Sequence, residues 1–79
     1  MNLELLKAKI DQSEISKSEL AEVLGISRQG LYNKLDGEKE FKGSEIKTIS
    51  RTLELTSAER DAIFFADFVG SYANSTVHQ

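Results

Sequence analysis

An all-α fold, a compact bundle of five short helices, is what this chain predicts. Three observations predict it. Apolar residues recur at three- and four-residue spacing along most of the chain and nowhere alternate as in a half-buried strand. Each such stretch opens on a residue able to cap a helix: Asn2, Ser16, Ser27, Ser44 and Thr56. No proline interrupts any of them.

Asn2 caps a first helix running to about Gln12, with Leu3, Leu6 and Ile10 on one face. Leu5 points elsewhere and reads as a scattered surface leucine. Residues 11–14 form a polar connection, and Ile15 tucks under the next helix. Ser16 opens the second helix, and Glu19, three residues on, completes a capping box. Leu20, Ala21 and Leu24 make its apolar face. Gly25 suits a tight turn, because a left-handed backbone costs glycine little. Ile26 plugs the corner, and Ser27 caps a third helix whose inner face carries Leu31 and Leu35. Gly30 should weaken that helix by about 1 kcal/mol relative to Ala. After Gly37, residues 38–44 form a mixed-charge loop with Phe41 as its aromatic anchor. Ser44 then caps a fourth helix through about Leu53, with Ile46, Ile49 and Leu53 on its buried side. Thr56 and Glu59 make a second capping box and open a fifth helix through about Val69, which Gly70 stops. One domain therefore spans 1–70, and the polar tail over 71–79 is expected to be mobile.

The fifth helix is apolar around most of its circumference. Ala58, Ala62, Phe65 and Val69 form one stripe, taken as the core stripe. Phe64, Phe68 and Tyr72 form a second, displaced around the axis. Two placements stay open: a helix sunk between the first and fourth, or a two-fold dimer interface built on Phe64, Phe68 and Tyr72.

Composition narrows the function classes. A chain of 79 residues buries a small core. It has no cysteine, which excludes disulfides and cysteine-based zinc sites. Charged residues break up the N-terminal stretch, so no signal peptide is expected. No apolar run reaches the length of a membrane span, and a cytoplasmic protein is expected. Net charge is −3, yet it is unevenly spread. Residues 16–51 carry +1, residues 52–79 carry −3 and residues 1–15 carry −1. Basic residues thus gather around the second and third helices.

Arg28, Gln29, Tyr32 and Asn33 point outward from the third helix, with Ser27 at its cap. The Arg fork matches guanine O6 and N7, and the Gln and Asn amides match adenine N6 and N7. Tyr32 suits a thymine methyl or a phosphate, or shields the inner leucines. Each residue alone reads as ordinary solvated helix surface; together, behind a tight turn, they favour base contact. Lys17, Lys34, Lys39, Lys42 and Lys47 are candidate phosphate contacts, although solvation explains any single lysine as well. Lys17 lies at the start of the second helix, where backbone N–H groups also attract anions.

Residues 16–37 resemble the helix-turn-helix of the phage Cro/repressor (Xre-like) family. The resemblance rests on Leu20-Ala21, Leu24-Gly25-Ile26-Ser27, Leu31 and Asp36-Gly37. A small residue at Ala21 lets the two helices approach, Gly25 makes the turn, and Leu31 packs the reading helix inward. Two departures are Gly30, and Lys34 where many members bury a hydrophobe. The resemblance implies a central helix-turn-helix and a sequence-specific regulator that places 27–35 in the major groove. It also implies a homodimer on a two-fold double-stranded operator, and no cofactor. Absence of a cleavable oligomerisation segment favours a Cro-like regulator that blocks polymerase. The alternative is a protein-interaction module using the same exposed helix.

An enzyme is not expected. The lone His78 lies in the tail, and no metal-ligand spacing, phosphate loop or nucleophile–base pair can be named.

Overall fold

The computed structural model describes residues 1–66. Over these the chain forms α1 (Leu3–Gln12), α2 (Lys17–Leu24), α3 (Arg28–Leu35), α4 (Gly43–Thr52) and α5 (Ser57–Phe64). No strand occurs among the described residues. Each helix contributes one completely buried anchor: Leu6, Leu20, Leu31, Ile49 and Ile63. Ile10, Ala21, Leu35, Phe41, Ile46 and Phe64 complete the core around them. α2 packs on α3 and α4, and α1 packs on α5.

The caps are mostly those the residue types dictate. Asn2 Oδ1 accepts from Leu5 N–H at 3.1 Å. Ser16 and Glu19 exchange both bonds of a capping box, at 3.0 Å each. Thr56 and Glu59 do the same at 2.9 and 3.1 Å. α4 departs from expectation. Its cap is Lys42, not Ser44, and Lys42 N–H donates to Glu45 Oε1 at 2.7 Å. Lysine has no acceptor to offer, so the helix starts on the Glu45 half of a capping box alone.

Glycine ends the two motif helices. Gly25 sits at φ 72°, ψ 28°, while Gly25 N–H and Ile26 N–H donate to the carbonyls of Glu22 and Ala21. Gly37, at φ 88°, ends α3 with the same pair of bonds, from Gly37 and Glu38 to Lys34 and Asn33. These are Schellman closures, which need a left-handed residue. α4 closes the same way on Glu54, at φ 54°.

Two sequence readings are corrected. Leu5 is half-buried and packs against the core. In α5 the expected core stripe holds only in part: Phe65 packs against the core, but Ala58 and Ala62 are exposed, and Ile63 and Phe64 are buried instead. Phe64 therefore leaves the candidate dimer surface. Its ring meets Phe41 edge-on, with centroids 5.8 Å apart and planes at 81°. This contact pins the loop before α4 to α5. α5 closes at Phe64, and Phe68, Val69, Tyr72 and the tail lie outside the described residues.

Lys9 of α1 pairs with Glu59 of α5 and ties the two helices together. The Lys9 ammonium, and then the Thr56 N–H, lower the Glu59 carboxyl from its ordinary 4.5 to about 2. A depressed carboxylate stabilises the fold above its unfolded value and loses that contribution as it protonates. Melting temperature should therefore fall as pH drops from 4.5 towards 2, and Glu59→Gln should flatten part of that slope. A Glu59→Gln variant with the parent's full acid sensitivity would exclude Glu59 as a source.

Candidate nucleic-acid interface

α3 is held from behind. Leu31 and Leu35 are buried against the bundle, and Ala21 of α2 is small enough to let the helices close. Ser27 Oγ accepts from Gly30 N–H at 2.9 Å and opens the helix. A Cβ on residue 30 would lie 3.1 Å from that same oxygen. Glycine thus lowers helix propensity but leaves the capping hydroxyl uncrowded.

The outer face carries the expected set. Ser27, Arg28 and Gln29 are exposed, and Tyr32 and Asn33 are half-buried. They are organised in two pairs, each spanning one helical turn. Arg28 Nε and Nη2 donate to Tyr32 Oη at 3.4 and 3.3 Å. Gln29 Nε2 donates to Asn33 Oδ1 at 3.0 Å. Each pair is long or exposed enough to be exchanged for a base edge at small cost. Arg28 retains further N–H donors beyond those on Tyr32.

Lys17 joins this group across the helix pair. Its ammonium lies 5.7 Å from the Tyr32 ring centroid, and the Arg28 guanidinium lies 5.6 Å from it. Two cations and one ring thus stand between the start of α2 and the start of α3. An open groove of about 320 Å³ runs beside them, lined also by Ser13, Ser16 and Ser18, with the Asp11 carboxylate at its edge. Cations, hydroxyls and backbone N–H groups suit an anionic backbone. The residue pattern did not reveal that Tyr32 links Lys17 to Arg28. The spacing of Arg28 and Tyr32 at i, i+4 was its only trace in sequence.

The remaining lysines divide. Lys39, Lys42 and Lys47 are exposed in and after the loop. Lys34 is not a candidate for phosphate: it is 8% exposed and its ammonium lies 2.6 Å from Glu45 Oε1. It occupies the inward i+3 position from Leu31, so the helix turns it toward α4. Burial acts to raise the Glu45 carboxyl, but the bonds from Lys34 and from Lys42 N–H outweigh it and the group titrates below 4.5. Nothing in the sequence alone marks Glu45 as the partner of Lys34. A glutamate at the third position of a helix normally only caps.

Residues 3–36, which span α1 to α3, match the family model described as Bacterial regulatory protein, Fis family. No curated protein and no solved structure matches the chain. The match supports a DNA-binding helix-turn-helix regulator in the general sense. Among the described residues no helix is long and apolar enough to cross a membrane.

Proposed function

We propose that this chain is a sequence-specific transcriptional regulator of the phage Cro/repressor type, placing α3 in the major groove of an operator. The observation that carries the reading is the polar face of Arg28, Gln29, Tyr32 and Asn33, mounted on a helix whose inner side is locked by Leu31 and Leu35. Arg28 and Gln29 lie in the first turn, where side chains reach deepest into the groove. Lys17, Lys39, Lys42 and Lys47 supply phosphate contacts. Two copies bind a two-fold site with reading helices ~34 Å apart. Phe68 and Tyr72 supply the dimer contacts, while Phe64 is buried against Phe41 within one chain. The protein works without a cofactor or catalysis, in the cytoplasm, by occupying the operator and excluding polymerase.

With a net charge of −3, long-range attraction to DNA is weak and specific contacts dominate. The test selects duplexes from a random pool and measures their affinity by fluorescence anisotropy across a salt series. A preferred sequence, two chains per duplex and a salt-dependent affinity are expected. Lys42→Ala should weaken every duplex about equally and lower the salt slope by about one per contact. No retention of any duplex at low salt would put the protein-interaction reading in its place.

A further inference from the structure

The exposed reading face and the exposed lysine loop meet at one buried ionic junction. Lys34, in the last turn of α3, donates to Glu45 Oε1 at 2.6 Å and to the Glu40 carbonyl at 3.3 Å. The same Glu45 oxygen accepts from Lys42 N–H at 2.7 Å. The Lys34 ammonium also stands 5.8 Å from the Phe41 ring centroid, and Phe41 rests on Phe64. Lys34 and Glu45 are 8% and 7% exposed.

We propose that the Lys34–Glu45 pair is a positioning device for DNA reading: it fixes α3 relative to the loop and helix start that carry Lys39 and Lys42. This rests on the proposed DNA-binding function. A buried ion pair stabilises a fold little more than a well-packed apolar pair would. What it adds is direction. The ammonium has few oxygens to choose from, and each lies on a different segment: Glu40 on the loop, Glu45 on α4. The packing of Leu31 and Leu35 holds α3 on the bundle, and the directional contact to Glu45 ties its last turn to the start of α4. Base reading needs the Arg28 fork in register with a guanine while Lys39 and Lys42 hold the phosphates. The junction sets the distance between those two sets of contacts.

The test is the double variant Lys34→Met/Glu45→Gln. The introduced glutamine's Oε1 still accepts from Lys42 N–H, so the start of α4 survives, and the introduced methionine fills the lysine's volume. Affinity is measured on the selected duplex and on its single-base variants, with thermal melting alongside. The expected result is a fold that melts near the parent and binds unrelated duplexes within about twofold of it. Its preference for the selected duplex over the single-base variants should drop about tenfold, the weight of one well-made base contact. A folded double variant with the parent's full base preference overturns the proposal. Should that variant not fold, Lys34→Gln/Glu45→Gln is read in the same assay. If neither folds, the pair is a structural staple and the proposal fails. A parent chain that discriminates between duplexes upholds the DNA reading in either case. A parent that retains no duplex overturns that reading, and the positioning role with it.

Discussion

Lys34→Met alone should destabilise the domain by about 3–5 kcal/mol at pH 7, because it strands the Glu45 carboxylate in the protein interior. A domain of this length has a total stability on the order of 4–12 kcal/mol, so the variant should stand at the edge of folding. The penalty has a signature in pH. Without the ammonium, burial, the largest influence on Glu45, pushes its pKa upward against only the N–H and the charge of Lys42. The group then escapes by taking a proton, and the deficit against the parent should shrink as pH falls from 7 towards 4.5. Urea denaturation of parent and variant across that range measures both features. A loss under about 1 kcal/mol, flat with pH, would mean that water reaches the pair in solution.

Leu31→Ala comes next in size. Leu31 is 0% exposed and is the anchor that α3 contributes to the core. Truncation should cost about 2–5 kcal/mol, made up of lost transfer energy and the cavity left behind. The opposite change at the same junction, Ala21→Leu, should cost ~1–3 kcal/mol by overpacking the place where α2 and α3 close. Both variants should lose affinity for the selected duplex more than their stability loss explains, since α3, the proposed reading helix, is what each one loosens. Denaturation curves paired with anisotropy separate the two effects. Near-parent stability in both variants would contradict the packing of α2 on α3.

The helix-turn-helix was legible because its signals are local. Ser16 with Glu19, Gly25, and Ser27 act within four residues of themselves, and the structure uses each as its chemistry dictates. α4 was legible in its buried face but not in its start, since the cap is a backbone N–H met by Glu45 rather than a side chain of Lys42. The faces of α5 were misread for a different reason. Apolar residues surround that helix, so periodicity does not select a side; Phe41, from a loop 23 positions earlier, is what Phe64 packs against. Lys34 failed in the same way. A lysine reads as surface until its partner is known, and that partner lies 11 residues on, across a loop. The outward side chains of α3 were legible one by one. Their pairing as Arg28 with Tyr32 and Gln29 with Asn33, and the approach of Lys17, depend on tertiary placement.

Whether α3 reads bases is tested most directly by the base preference of Arg28→Ala on the selected duplex and its single-base variants. Arg28 offers a planar fork that matches two guanine acceptors. Its loss should flatten the preference at one position per half-site by about 1–3 kcal/mol and leave the other positions sharp. An Arg28→Ala variant that weakens every duplex alike, with the parent's base preference intact at all positions, would contradict α3 as the reader.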